Sequence, residues 1–186
     1  MKSEKEKICT GAMYSPLDKQ LSKDRLKARE LLKELNDSLE SEGAMRRNIL
    51  KKLIPNQGKN VWIQPPFYCD YGYNITVGSK VFFNFNCIVL DAASIKIGSR
   101  TLFGPNVQLY TTLHPMNHKE RSSLLESAKP IVIGEDVWIG GSVVVCPGIT
   151  IGNRAVIGAG SVVTKDVPQD VFAAGNPCKI IRTLEQ

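Results

Sequence analysis

The chain has 186 residues, of which 42% are hydrophobic, and a formal net charge of +6. This length fits one domain, or one domain with a small appendage, and the hydrophobic content excludes a disordered chain. No apolar run approaches the ~18 residues of a membrane span. The start of the chain lacks the apolar stretch of a secretory signal, so we expect a cytoplasmic protein without a membrane partner.

The cysteines and the charge distribution exclude further classes. The five cysteines are an odd number, widely spaced and without a CxxC pair, which argues against a disulfide framework and a structural zinc site. More than half of the lysines and arginines lie in residues 1–53, with acids interspersed among them. This pattern favours a solvated helical face over a nucleic-acid-binding surface.

Residues 1–55 are predicted to form a helical segment. Ser22 is a plausible N-cap, with Asp24 in the first turn and Gly43 as the expected break after the helix. Four apolar residues fall on one face of this helix: Ala28, Leu32, Leu35 and Leu39. A shorter helix that ends before Pro55 is predicted from a second apolar set: Met45, Ile49, Leu50 and Leu53.

Residues 56–186 follow a period of six. Apolar residues recur at this step, several of them before a glycine: Ile133, Ile139, Val145, Ile151, Ile157 and Val163. Two positions ahead of each lies an apolar or small residue: Ile131, Val137, Val143, Ile149, Ala155 and Ser161. The same step occurs earlier in two series separated by a two-residue insertion: Val77, Phe83 and Val89, then Ile97, Phe103 and Leu109.

A period of six matches neither the helix nor the open strand, and it suits short strands joined by tight bends. Three hexads close one triangular coil, and stacked coils form a parallel β-helix. One apolar side chain per hexad then points into the interior, beside the small or apolar residue two positions before it. We therefore predict a mainly β fold, with the helical segment packed on it.

Residues 111–130 interrupt this period and contain the only two histidines of the chain. We interpret them as a loop extruded from a rigid body, a common place for functional residues. A neutral imidazole with a pKa near ~6.5 can take up and return a proton, as the attack of a hydroxyl on a thioester requires. His114 is the candidate base and Glu126 the nearest acid that could orient it, although His114 could also simply hydrogen-bond within the loop. Pro115 argues against a helix that presents His114 and His118 together, so we predict no metal site.

Longer strings resemble the hexapeptide-repeat acetyltransferases, in particular the maltose and galactoside O-acetyltransferase branch. The opening GAMYSPLDKQL, followed by helices, is similar to the N-terminal segment of that branch. The other similar strings are PPFYCDYGYNITVG (65–78), FFNFNCIVLD (82–91), LHPMNH (113–118), KPIVIGEDVWIGG (129–141), PGITIGNRAVIGAGSVVTKDVP (147–168) and AAGNPCKIIR (173–182). The resemblance implies a left-handed parallel β-helix over residues 56–186, an exception to the usual right-handed crossover that the period alone does not reveal.

The same resemblance implies an acetyl-CoA-dependent O-acetyltransferase that acts on a small sugar such as maltose, glucose or a galactoside. Transfer would be direct, in a ternary complex, with His114 as general base and with Glu126 and Asn84 in the catalytic group. Asp70, Asn84 and Asp91 would bind the acceptor. The family also implies a homotrimer with its sites between subunits.

Acetyl-CoA enters only through the resemblance, because the chain has neither a Walker nor a Rossmann glycine loop. The implied acetyl-CoA-binding residues are Trp138, Gly140, Gly141, Ala159, Gly160, Thr164, Lys165, Lys179 and Arg182. Considered alone, Lys165 and Arg182 could be solvated charges, and Asn84 and Asp70 could be bend residues. Trp138 is out of phase with its inward-facing neighbours, which argues against a place in the core.

The acceptor stays open at this stage. An alanine follows Asp91 where the galactoside enzymes have a second acid, Phe82 replaces an aromatic hydroxyl, and Asp70 replaces a serine. Acceptors such as serine, an antibiotic alcohol or a nodulation-type oligosaccharide are alternatives to a small sugar. A non-catalytic repeat scaffold is a further alternative.

Overall fold

Residues 2–185 are described by a computed structural model, in which helices precede the strands. The first three helices are α1 (Glu4–Cys9), α2 (Lys19–Asn36) and α3 (Gly43–Leu53). A fourth, α4 (His118–Arg121), lies much later in the chain. Within the described residues, no helix combines the length and the apolar character needed to cross a bilayer.

The helix ends differ from the prediction. The Asp18 carboxylate accepts hydrogen bonds from the N–H groups of Gln20 and Leu21 and caps α2, so the predicted cap at Ser22 is wrong. Because the Asp18 carboxylate accepts the N–H groups of the first turn, the helix begins before Ser22. Helix α1 was not predicted, and it begins with a capping box between Ser3 and Glu6.

Helix α2 also ends earlier than predicted. Its last residue, Asn36, exchanges two hydrogen bonds with the backbone of Phe67, accepting one at 2.9 Å and donating one at 3.0 Å. Leu39 therefore lies beyond the helix and is exposed, whereas Ala28, Leu32 and Leu35 are buried as the pattern indicated. Gly43 is the first residue of α3 and does not end α2.

The strands form three parallel sheets, which are the three faces of a β-helix. Face 1 contains β1 (Asn56–Gln57), β4 (Ile75–Val77), β7 (Ile95–Ile97), β12 (Ile131–Ile133) and β15 (Thr150–Ile151). Face 2 contains β2 (Trp62–Ile63), β5 (Phe82–Phe83), β8 (Leu102–Phe103), β13 (Trp138–Ile139), β16 (Val156–Ile157), β18 (Val171–Ala174) and the antiparallel edge strand β19 (Lys179–Thr183). Face 3 contains β3 (Phe67–Cys69), β6 (Cys87–Leu90), β9 (Gln108–Tyr110), β14 (Val144–Val145) and β17 (Val162–Val163).

The hexad register is confirmed. Ile133 pairs with Ile97 on one side and with Ile151 on the other, so hexad positions stack directly from coil to coil. Every residue of the predicted inward series is buried. Apolar residues of α2 and α3 belong to the same hydrophobic cluster as the β-helix interior, so the helices extend this core at its first coils.

The corner that joins face 3 to face 1 carries the irregular connections, and we call it the excursion corner. In successive coils it consists of residues 70–74, 91–94 and 111–130. The third connection is a β-hairpin of β10 (Thr112–Leu113) and β11 (Ser127–Ala128), with α4 between its strands. The segment predicted as a loop thus contains an ordered hairpin.

Candidate active site

The hairpin brings His114 and Glu126 to the same place. Thr112 lies opposite Ala128, and Leu113 lies opposite Ser127. The next pair in this register is His114 and Glu126, and the His114 Nε2 lies 3.9 Å from the Glu126 Oε1. That distance is longer than a hydrogen bond, and the imidazole is 55% exposed. The histidine is therefore accessible and has its candidate partner beside it.

Glu126 is held from its other side by Tyr14. The Tyr14 hydroxyl donates a hydrogen bond of 2.8 Å to the Glu126 Oε2. The two residues also exchange backbone hydrogen bonds of 2.8 and 3.0 Å. Burial, and then the adjacent Glu126, raise the pKa of Tyr14 far above its usual value, so this side chain remains a hydroxyl donor.

Tyr14 was not among the predicted site residues, although it lies within the N-terminal string that resembles the family. It follows no period, and its partner comes 112 positions later in the chain. Only the fold joins the two residues.

His114 and Glu126 open into a cleft of about 530 Å³ on the face 3 side of the excursion corner. Of the predicted acceptor residues, Asp70 lines this cleft. Aromatic, cationic and small side chains complete the wall: Tyr14, Pro16, Arg25, Arg29, Tyr71, Leu90, Ala92, Tyr110 and Thr112. A cleft with several hydrogen-bonding groups and aromatic surfaces suits a small polar ligand.

Two arginines of α2 organise the Asp70 side of the cleft. Arg29 lies 3.6 Å from the Asp70 carboxylate and donates to the Cys69 carbonyl at 3.1 Å. Arg25 donates to the Tyr71 hydroxyl at 2.9 Å. Burial raises the pKa of Asp70, and both arginines oppose this shift. The helical segment therefore contributes side chains to the cleft, although its charged residues were predicted to form a solvated face.

Asp91 is placed differently from the other predicted acceptor residues. Its carboxylate is buried and accepts hydrogen bonds from the N–H groups of Asp70, Tyr71 and Gly72, at 2.9, 2.9 and 2.7 Å. Burial raises the pKa of Asp91 to about 7, against the opposing effect of these N–H donors. Asp91 therefore supports the turn that carries Asp70, and it does not line the cleft.

Asn84 lies at another corner, between faces 2 and 3. Its Oδ1 accepts a hydrogen bond of 2.8 Å from the N–H of Phe85. Asn84 does not line the cleft of its own chain. One copy of the chain therefore does not bring Asn84 and His114 together.

The predicted acetyl-CoA residues mostly follow face 2 and that same corner. The Trp138 side chain points outward from face 2 and is 57% exposed. Trp138 pairs with Val156, Val156 with Phe172, and Phe172 with Arg182, so an outward row runs from the indole to the guanidinium. Three strand intervals span roughly 14 Å. Lys179 also lies on β19, whereas Thr164 and Lys165 follow β17 at the excursion corner.

Gly140 and Gly141 pass close to the adjacent coils at the corner of Asn84. A Cβ at Gly140 would lie 2.6 Å from the Ala159 backbone nitrogen, which only glycine avoids. Gly160 adopts a positive φ of 72°. The glycines therefore allow adjacent coils to stack tightly at this corner.

No group of three or more His, Cys, Asp or Glu side chains arranged for a metal ion occurs within residues 2–185. His118, for which no catalytic or metal-binding role was predicted, is the first residue of α4 and is exposed.

Comparison with known proteins connects this geometry to one family. Residues 130–165 match the family model of the bacterial transferase hexapeptide (six repeats), and residues 7–58 match that of the maltose acetyltransferase hexapeptide capping motif.

The galactoside O-acetyltransferase of Escherichia coli (strain K12) is 42% identical over 96% of this chain and 88% of its own length. The crystal structure of a maltose O-acetyltransferase from Clostridium difficile 630 has a TM-score of 0.98 at 45% identity, covering 100% of this chain and 99% of that one. A hexapeptide-repeat acetyltransferase from Vibrio cholerae O1 biovar eltor, in complex with acetyl coenzyme A, has a TM-score of 0.92 at 39% identity and covers 100% of both chains. The predicted fold class is confirmed.

Proposed function

Because this chain belongs to the maltose and galactoside O-acetyltransferase branch of the hexapeptide-repeat acetyltransferases, and is thus an acyltransferase that uses acetyl-CoA, we propose that it acetylates a hydroxyl of a small sugar. The observation that carries the proposal is the pairing of His114 with Glu126 across the hairpin, at the mouth of a polar cleft.

His114 is the general base in this proposal. One ring nitrogen takes the proton of the acceptor hydroxyl as its oxygen attacks the thioester carbonyl carbon. The C–S bond then breaks, and the thiolate of coenzyme A recovers the proton from the imidazolium. Glu126 orients the ring and stabilises the imidazolium. The exposure of the imidazole supports access by an acceptor.

The composition of the cleft supports a sugar as the acceptor. Asp70 can accept hydrogen bonds from sugar hydroxyls, and Arg25 and Arg29 can donate to sugar oxygens. Tyr110 offers a ring surface for the apolar face of a pyranose. Asp91 shapes the turn beneath Asp70.

The donor is proposed to lie along the outward row of face 2. Trp138 would pack against the pantetheine arm, and the Gly141 N–H would stabilise the oxyanion, since the Gly140 N–H donates to the Ile157 carbonyl of the adjacent coil. The pantetheine arm would pass close to the backbone of Ala159 and Gly160. Lys179 and Arg182, on β19, would meet the phosphates. Thr164 and Lys165, which follow β17 at the excursion corner, would contribute to this contact from a second copy. A donor and an acceptor held together favour direct transfer in a ternary complex, in which positioning supplies much of the rate.

We propose a homotrimer with each site between two subunits. Asn84 would then reach the His114 cleft from a second copy, since it lies at another corner of its own chain. Outward side chains of face 2 are largely apolar and include Trp62, Leu102 and Trp138, whereas face 1 presents mainly polar ones. Apolar faces of this kind favour association.

Thiol release from acetyl-CoA, measured with glucose, maltose, a thiogalactoside and serine, tests the proposal. We expect turnover with one or more sugars, and a loss of at least about 100-fold in kcat for His114→Ala. Turnover with serine alone would replace the sugar by a non-sugar acceptor. Unchanged activity of His114→Ala would remove the general-base role.

A further inference from the structure

We infer that Tyr14 is a positioning residue for acetyl transfer, acting through Glu126 to orient the His114 imidazole. This inference rests on the proposed function, because it requires His114 to be the base. It adds to the site a residue from the segment that precedes α2.

The two oxygens of Glu126 face different partners. Oε2 accepts the Tyr14 hydroxyl at 2.8 Å, and Oε1 lies 3.9 Å from the His114 Nε2. A carboxylate fixed at one oxygen has a restricted rotation, so its second oxygen is held toward the imidazole. The hydroxyl therefore determines where the partner of the base lies.

Tyr14 is itself firmly anchored. It is 1% exposed and packs in a second hydrophobic cluster with Ile8, Leu21, Tyr71, Ala92, Ala93 and Ala128. Its backbone also pairs with that of Glu126. Since packing and backbone pairing do not need the hydroxyl, Tyr14→Phe removes the hydrogen bond and keeps the rest of the contact.

The need for such an anchor follows from the hairpin. Between His114 and Glu126 the chain runs through exposed residues and the short helix α4, beyond the paired strands β10 and β11. The register of the hairpin brings the two side chains opposite each other but leaves their rotamers free. The link to Tyr14 ties this outer part of the hairpin to the body of the protein.

The test compares Tyr14→Phe with Tyr73→Phe as a matched control. The Tyr73 hydroxyl also donates to a carboxylate, Asp24 Oδ2 at 3.1 Å, and its ring packs 5.4 Å from that of Tyr71. Tyr73 does not line the cleft. We expect Tyr14→Phe to lower kcat by about tenfold, with little change in KM, and Tyr73→Phe to leave both unchanged.

The pH profile separates positioning from a general loss of structure. Without its hydroxyl donor the Glu126 carboxylate is no longer held toward the ring and stabilises the imidazolium less, so the acid limb of kcat/KM should move to lower pH in Tyr14→Phe. In a Glu126→Gln background, Tyr14→Phe should have little further effect on kcat.

Three outcomes would overturn the inference. The first is a wild-type kcat and pH profile for Tyr14→Phe while His114→Ala is inactive, which leaves the proposed function standing. The second is an equal loss of kcat in Tyr14→Phe and Tyr73→Phe with an unshifted pH profile, which assigns the effect to packing. The third is retained activity of His114→Ala, which removes the proposed base and, with it, the role of Tyr14.

Discussion

The Asp91 carboxylate lies beneath the turn of residues 70–72 and accepts three of its backbone N–H groups. Two carboxylate oxygens can satisfy these donors because they carry several lone pairs. An asparagine has one carbonyl oxygen and would turn its NH₂ group toward at least one N–H donor. The turn that places Asp70 in the cleft therefore depends on a carboxyl group at position 91.

Asp91 should also make stability depend on pH. Its pKa of about 7 in the folded protein exceeds the ~3.9 of an unfolded aspartate. Between these values the folded state binds more protons, so this residue makes the free energy of unfolding fall as pH rises, by up to about 1.4 kcal/mol per unit. Urea unfolding at several values of pH, compared between wild type and Asp91→Asn, measures this slope.

The Asp91→Asn variant should be less stable than wild type at pH 5. The difference between their free energies of unfolding should become smaller toward pH 8. Titrations common to both proteins cancel in this comparison. Parallel stability curves would mean that Asp91 does not change its protonation in this range.

Asp70 should act on acceptor binding more than on donor binding. Asp70→Asn keeps the shape of the side chain, removes its charge and leaves Arg29 without the carboxylate that lies 3.6 Å away. We expect the KM for the acceptor sugar to rise about tenfold, since a hydrogen bond to a charged group is lost, with the KM for acetyl-CoA unchanged. Steady-state kinetics with each substrate varied in turn measures both; an equal rise in both values would contradict the assignment.

Single residues show what the sequence could and could not indicate. His114 and Glu126 were predictable, since they are a histidine and an acid in the one long break of the period. Tyr14, Arg25 and Arg29 were not, because their roles come from contacts that only the fold creates. The error at Ser22 arose because Asp18 was an equally good cap nearer the start of the chain.

At the scale of elements, the corner between face 1 and face 2 shows how tight bends repeat with a residue other than glycine at the left-handed position. One non-glycine residue in each bend of this corner has a left-handed backbone with φ between 57° and 62°: Asn60, Lys80, Arg100, Asp136, Arg154 and Asp170. The first five lie two positions after a glycine, and Asp170 lies two positions after Pro168. Hydrogen bonds such as Arg100 N–H to the Ser79 carbonyl connect the bends of adjacent coils. Bidentate ion pairs of Arg100 with Asp136 and of Arg154 with Asp170 lie along the same corner.

Two exposed lysines should respond oppositely to replacement by glycine. Lys80 has a φ of 60°, where an L-residue is strained, so Lys80→Gly should raise the free energy of unfolding by up to about 1 kcal/mol. Lys96 points outward from β7, so Lys96→Gly should lower it by about 1 kcal/mol. Chemical denaturation of both variants gives the values; destabilisation of the same size in both would contradict the argument from backbone strain.

The elements differ in how far the sequence predicts them. The strands were predictable because each hexad repeats the same local requirement, an inward apolar residue and a tight bend. The hairpin of residues 111–130 was not, because its pairing follows no period. Its strands β10 and β11 are short and leave most of the segment exposed.

At the scale of the whole molecule, the three faces of the β-helix differ in their outward side chains. Face 1 exposes mostly polar residues: Asn56, Thr76, Lys96 and Thr150, with Val132 as the apolar exception. The outward row of face 2 is apolar along most of its length: Trp62, Phe82, Leu102, Trp138, Val156 and Phe172. The His114 cleft lies on the face 3 side of the excursion corner, so a copy docked beside face 3 would border it.

The proposed trimer therefore predicts that a charge on face 2 abolishes association, whereas a charge on face 1 does not. Leu102 is 47% exposed on face 2, and Val132 is 39% exposed on face 1. Leu102→Glu would bury an unpaired carboxylate between subunits, which costs several kcal/mol, so we expect a monomer by sedimentation velocity. Val132→Glu should remain a trimer.

Activity should follow assembly in the same two variants. A site that needs Asn84 from a second copy is incomplete in a monomer, so Leu102→Glu should lose thiol release from acetyl-CoA in parallel with its trimer. Val132→Glu should retain wild-type kcat and act as the matched control. An active Leu102→Glu monomer would mean that one chain contains the whole site. Asn84 would then have no part in the chemistry at His114, because the fold of a single copy holds the two at different corners.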